Sequence, residues 1–121
     1  MHLKNLDLAK LETEINQFVR ERNWEQFHSI KNLSIALSVE ASELLEIFQW
    51  MTEAQSNEIK NDDNKMSKVK AEIADVLIYL IRISSLLEIN LEKAALEKIA
   101  HNIEKYPASK VFGSSKKYDE Y

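Results

Sequence analysis

No cysteine occurs in this chain, so neither a disulfide framework nor a thiolate metal site is available, and any metal must be held by oxygen or imidazole. A reducing compartment is the default expectation. Glycine and proline appear once each. A chain so poor in turn residues and rich in Leu, Ile, Ala, Glu and Lys reads as helices joined by short connections, an all-α fold. Basic excess is lacking too: the net charge is −4, which argues against binding a nucleic-acid polymer. No run is long enough and apolar enough to cross a bilayer, and the start Met1-His2-Leu3-Lys4-Asn5 has no apolar signal core. The expectation is a cytoplasmic protein without a membrane partner.

At 121 residues the chain fits one domain, read as a helical domain over residues 1–107 and an irregular tail over 108–121. Leu8, Leu11, Ile15, Phe18 and Val19 recur at helical spacing and predict a first helix from about Asp7 to Arg22, with Asn5 or Asp7 near its cap. The stretch from Asn23 to Ser29 breaks that register and reads as a linker carrying Trp24, Phe27 and His28. A second helix, about Lys31 to Met51, has its apolar stripe at Leu33, Leu37, Leu44, Ile47, Phe48 and Met51. The polar stretch from Ser56 to Ser67, containing Asn61-Asp62-Asp63-Asn64, reads as a solvated loop that also supplies the next N-cap.

A third helix, about Lys65 to Leu87, has its stripe at Val69, Ile73, Val76, Leu80, Ile83 and Leu87. Leu77, Ile78 and Ile81 add apolar surface on its other sides. Four helices cannot bury such an element on every face, so the expectation is a four-helix bundle-like protomer assembling into a helical homo-oligomer. Asn90 caps a fourth helix, Leu91 to Tyr106, with Leu91, Leu96, Ile99 and Ile103 expected inward and Pro107 ending it.

Two acidic pairs at i, i+3, Glu40/Glu43 and Glu72/Asp75, each place two carboxylates on one helix face, about 60° apart. With 20 acidic residues, roughly three such pairs arise by chance, so position has to discriminate. Glu40 falls within the apolar stripe between Leu37 and Leu44, Glu43 lies at its edge, and Glu46 faces solvent. Glu72 borders the stripe of the third helix, Asp75 lies beside it, and Tyr79 shares that side. A buried carboxylate needs a proton, a basic partner or a cation. Four carboxylates from two packed helices suit Mg²⁺, with Mn²⁺ as a substitute, better than Zn²⁺. The alternative is a solvated acidic face with one salt-bridged Glu.

The run Trp24-Glu25-Gln26-Phe27-His28, then Lys31-Asn32-Leu33, Glu40-Ala41-Ser42-Glu43-Leu44, Phe48-Gln49-Trp50, Glu72-Ile73-Ala74-Asp75-Val76 and Lys98…Asn102…Lys105-Tyr106-Pro107 closely resembles the MazG-like, dCTP-pyrophosphatase branch of the all-α NTP pyrophosphohydrolases. The match covers most of the chain, in order. The resemblance implies a homotetramer of helical dimers acting on a nucleoside triphosphate. It implies that Glu40, Glu43, Glu72 and Asp75 bind Mg²⁺, that Trp24, Glu25, Gln26, Phe27, His28, Trp50 and Tyr79 line the nucleoside pocket, and that Lys31, Asn32, Lys98, Asn102, Lys105 and Tyr106 meet phosphates. Some relatives carry a polar base-reading residue nine positions before the pocket Trp, where this chain has Ile15, so base preference is open.

The implied chemistry is attack of water on the α-phosphorus of a dNTP, dCTP or a modified dCTP foremost, with pyrophosphate leaving and a nucleoside monophosphate formed. A divalent ion neutralises the triphosphate oxygens that otherwise repel the nucleophile. The sequence singles out no general base. Trp24 and Trp50 suit base stacking, worth about 1–3 kcal/mol per base, against the alternative that both fill core or interface. His28 is either a ligand contact or a helix-entry residue satisfied by backbone. Two other readings stand beside this one: the same chemistry on dUTP or another noncanonical nucleotide, and a non-catalytic helical module that binds a partner or senses nucleotides.

Overall fold

The computed structural model describes residues 5–115, all of whose regular elements are helical. In chain order they are α1 (Leu8–Glu21), a 3-10 turn (Glu25–Phe27), α2 (Ile30–Phe48), α3 (Glu53–Asn57), a second 3-10 turn (Ile59–Asn61), α4 (Asp63–Leu86), α5 (Leu91–Lys105) and α6 (Ala108–Val111). The chain forms two compact units divided between Glu88 and Ile89.

Local chemistry sets the boundaries. The Asp7 side chain caps α1 by accepting from the Lys10 N–H at 3.0 Å, and Ser29, Asp62 and Asn90 cap α2, α4 and α5 in the same way. Thr52 and Gln55 form a capping box, each side chain accepting from the other's backbone N–H. This nucleates α3 inside a region where the sequence suggests no helix. The stretch read as a solvated loop is thus mostly ordered: it holds the end of α3, a 3-10 turn and the start of α4, which begins at Asp63.

The end of α1 has a stronger consequence. Asn23 takes the left-handed conformation, φ 55°. The Asn23 N–H donates to the Arg20 carbonyl at 3.1 Å and the Trp24 N–H to the Val19 carbonyl at 3.0 Å. Together these form a Schellman motif, whose usual companion is an apolar contact across the helix end. Here that contact is Trp24 on Phe18, edge to face with centroids 5.6 Å apart. Arg22 covers the Phe18 ring at 3.7 Å from its centroid. The reversal turns the chain into the 3-10 turn, which Asn32 fastens to α2 by donating from Nδ2 to the Phe27 carbonyl at 3.0 Å.

In the first unit α1 and α2 both pack on α4. Val19 from α1, Leu33 from α2, and Val69 and Ile81 from α4 are the buried apolar residues. The buried side of α4 is rotated from the predicted stripe. Ile73, Leu80 and Leu87 are exposed, while Ile81, Arg82 and Ser84 are buried. A helix apolar on several sides gives periodicity no single answer, and contacts with α1 and α2 decide which side turns inward. In the second unit Leu96, Ile99 and Ile103 are exposed rather than inward, because α5 shares that unit with only the single turn of α6. That turn lies in the segment expected to be irregular. The rest of the expected tail, residues 116–121, lies outside the described residues.

Candidate functional site

The acidic residues of α2 and α4 face each other. Glu40, Glu43 and Glu72 each present a carboxylate oxygen within 4.8 Å of the other two. Oε2 of Glu40 and Oε2 of Glu72 are both buried without a hydrogen-bond partner, and they are the only such side-chain atoms among the described residues. No N–H or hydroxyl reaches them, so in the bare protein the two carboxylates can satisfy each other only by sharing a proton. The Glu40 carboxyl is accordingly pushed up to about 7, first by that contact with Glu72, then by burial and by the charges of Glu43 and Asp75. Glu72 is raised as well: its contact with Glu40 pulls it down, and burial with the charges of Glu43 and Asp75 outweighs the pull.

Two sealed, unpartnered oxygens in an all-carboxylate cluster are the donor set that fits a hard divalent cation. A basic partner is absent, since the ion pairs among the described residues are Arg22–Glu21 and Lys93–Glu97. Asp75, one turn beyond Glu72, is close enough for its charge to raise both glutamates. Tyr79 is raised by burial and then by Glu40 and Asp75.

Two clefts flank this cluster. One, of about 960 Å³, is lined by Glu43, Glu46, Trp50, Glu58, Asp62, Lys65, Lys68 and Glu72, with Ile47, Met51, Gln55, Ile59 and Ala71. Trp50 is 90% exposed there. The other, of about 470 Å³, lies between α1 and α4 and is lined by Leu11, Glu14, Ile15, Phe18, Val19, Trp24, His28, Asp75, Ile78, Tyr79 and Arg82. Asp75, Tyr79 and Arg82 follow at i, i+4, i+7 and so share one face of α4.

The predicted site residues therefore divide. Trp24, His28 and Tyr79 share the second cleft with Asp75, whereas Trp50 opens on the first. Glu25, Gln26 and Phe27 form the 3-10 turn and line neither cleft, and Gln26 donates back to the Asn23 carbonyl at 3.0 Å. Lys31 and Asn32 lie in the first turn of α2, where the Asn32 amide is committed to Phe27. Lys98, Asn102 and Lys105 lie on α5, and Tyr106 caps its end. These four belong to the second unit, every other candidate to the first.

Sequence reasoning missed a buried polar cluster in the α1–α4 cleft. Arg82, only 6% exposed, donates from Nε to His28 Nδ1 at 3.2 Å and from Nη1 to Asn16 Oδ1 at 2.7 Å. Asn16 is oriented in turn by donating from Nδ2 to Ser85 Oγ at 3.1 Å. Burial, then the charge of Arg82, lowers the His28 pKa, so the ring is neutral at pH 7 and accepts at Nδ1. The available signal was a lone cation within the nearly all-apolar stretch from Val76 to Ile83. Lys65 and Lys68, which line the larger cleft together with Glu43 and Glu72, were also passed over.

Known proteins resemble this chain in sequence and in fold. The chain is 38% identical over 114 residues to human dCTP pyrophosphatase 1 (Homo sapiens) and 35% identical over 114 residues to its rat counterpart (Rattus norvegicus). In both cases 94% of this chain is covered, and it spans 65% of the relative's length. Among solved structures, a pyrophosphatase from Archaeoglobus fulgidus DSM 4304 superposes with a TM-score of 0.78 at 36% identity, covering 88% of this chain and 98% of that one. The MazG-like family model matches residues 35–121, a span that includes all four carboxylates. This chain belongs to the MazG-like family.

Proposed function

We propose that this protein is a divalent-metal-dependent nucleoside triphosphate pyrophosphohydrolase that converts a dNTP, dCTP or a modified dCTP foremost, to the monophosphate and pyrophosphate. The observation that carries the reading is the facing pair Glu40 and Glu72, whose Oε2 atoms are buried with no partner beside Glu43. Burial of unpaired carboxylate oxygens costs stability unless a cation is bound. The similarity to dCTP pyrophosphatases and to an archaeal pyrophosphatase supplies the reaction class.

Glu40, Glu43, Glu72 and Asp75 would hold Mg²⁺, with Mn²⁺ as a substitute. When bound, the ion supplies charge neutralisation for the triphosphate oxygens and acidifies water. The protein residues do the rest. The α1–α4 cleft receives the nucleoside, with Trp24 as the stacking platform and Tyr79 beside Asp75 at the junction with the acidic cluster. Lys65 and Lys68 project their charge into the larger cleft, where Glu43 and Glu72 also lie, and offset the charge that develops on the departing pyrophosphate. Water attacks the α-phosphorus, the bond from that phosphorus to the bridging oxygen breaks, and pyrophosphate leaves. Lys98, Asn102, Lys105 and Tyr106 are assigned to phosphates on the strength of the family resemblance.

The homotetramer belongs to the same proposal. Ile73, Leu80, Leu86 and Leu87 leave an apolar surface on α4 exposed, which a second copy would cover. A panel of canonical and modified nucleoside triphosphates, assayed for pyrophosphate release with Mg²⁺, tests the reading. Release from cytosine nucleotides above the others is the expected result, and release of orthophosphate instead would overturn it.

A further inference from the structure

The pyrophosphohydrolase reading leaves Arg82 without a task, yet its setting is unusual. It is a buried cation with no carboxylate in ion-pair range among the described residues, and such a charge is costly unless something accepts its hydrogen bonds. His28 and Asn16 take one N–H each, leaving three of the five guanidinium N–H groups uncommitted. Nη2 has no protein acceptor, but it is not among the sealed unpartnered atoms, which are confined to Glu40 and Glu72. Some of its surface is therefore open to solvent, and Arg82 lines the α1–α4 cleft. The fork is also held rigidly, because Ser85 fixes the Asn16 amide and thereby the direction of its Oδ1.

Arg82 is far from the acidic cluster along the helix. Seven residues separate it from Asp75, about 10 Å at 1.5 Å per residue, roughly the extent of a nucleoside. A ligand whose phosphates lie at the carboxylates and whose sugar passes Tyr79 brings its base to Arg82. The same cleft is lined by Ile15, Phe18, Trp24 and Ile78, apolar and aromatic surface suited to a base, and by the carboxylate of Glu14, which repels a phosphate.

We infer that Arg82, held by Asn16 and His28, reads the base by donating a guanidinium fork to two adjacent ring acceptors, O2 and N3 of cytosine. A planar fork demands neighbouring acceptors. Cytosine presents them on its pairing edge and guanine presents O6 and N7, whereas uracil and thymine interpose an N3–H donor. The similarity to dCTP pyrophosphatases selects cytosine over guanine. The cluster also places base reading beside Ile15, which has no polar group to do it.

This inference rests on the nucleotide reading above, and its test measures binding rather than turnover, so that the two can fail separately. Calorimetric titration of the full-length protein with dCMP, 3-deaza-dCMP (N3 replaced by C–H), dUMP and dGMP is the experiment. Wild type is expected to bind dCMP about tenfold to hundredfold more tightly than 3-deaza-dCMP or dUMP. Arg82→Met should remove that preference, and Arg82→Lys, which keeps charge without the fork, should not restore it. Equal binding of dCMP and 3-deaza-dCMP by wild type overturns the inference without needing any variant to fold. So does tighter binding of dGMP, preference retained in a folded Arg82→Met, or no nucleotide binding at all. A protein that binds dCMP in this pattern but releases no pyrophosphate would instead sink the hydrolase reading alone.

Discussion

Glu40 on α2 and Glu72 on α4 bring carboxylate oxygens within 4.8 Å of each other, and each buries an Oε2 atom that meets no hydrogen-bond donor. Two acids so placed cannot both ionise at low cost, and the raised Glu40, from about 4.5 to about 7, expresses that conflict. A folded-state pKa above the unfolded value means that the native chain holds its proton more tightly. The stabilising contribution is complete below about pH 4.5 and is lost as pH rises toward about 7. Metal-free protein should therefore lose thermal stability across that window, and Glu40→Gln should flatten the loss. A pH series of melting temperatures in a chelator checks this.

Divalent ion should reverse the same deficit. At pH 8, Mg²⁺ or Mn²⁺ should raise the melting temperature of wild type in a concentration-dependent way. Glu40→Gln or Glu72→Gln should abolish the response, and calorimetric ion titration should show affinity weakened by more than about tenfold. An unchanged response in both variants would place the ion elsewhere.

The helix end that aims Trp24 is testable through the backbone. Asn23 at φ 55° should tolerate Gly with little change, whereas a β-branched Val at this left-handed position should cost about 1–3 kcal/mol. Asn23→Val should also weaken nucleotide binding, because Trp24 and Phe18 line the same cleft. Chemical denaturation and ligand titration measure the two effects.

Leu33 is 2% exposed and is the largest fully buried side chain among the described residues. Leu33→Ala should cost about 2–5 kcal/mol. Ile73, by contrast, is 52% exposed, so Ile73→Lys should leave a lone protomer's fold intact and lower the mass seen by light scattering if a second copy covers α4.

Much of this was legible in the sequence because local chemistry decided it. Asp7 and Asn90 cap α1 and α5 as expected, and Glu40 within an apolar stripe already implied a carboxylate drawn inward, whereas the partner it was expected to have is absent: its Oε2 is buried with none among the described residues. The α3 helix was missed because a Thr52–Gln55 capping box nucleates a short element that periodicity does not register. The buried side of α4 was missed because Ile73, Val76, Leu80 and Ile81 offer no single amphipathic face, so tertiary packing chooses. Arg82 was missed because its meaning depends on Asn16 and His28, which lie 66 and 54 positions away in sequence and meet it only when α1 and the turn leading into α2 fold onto α4.

Hydrolysis of dCTP in ¹⁸O-water reports whether the facing carboxylates hold the ion that drives cleavage at the α-phosphorus. With Mg²⁺, wild type should yield equal amounts of dCMP and pyrophosphate with the label in dCMP, and chelator or Glu40→Gln should cut the rate by more than about a hundredfold. Label in the pyrophosphate, or a folded Glu40→Gln as active as wild type, would contradict it.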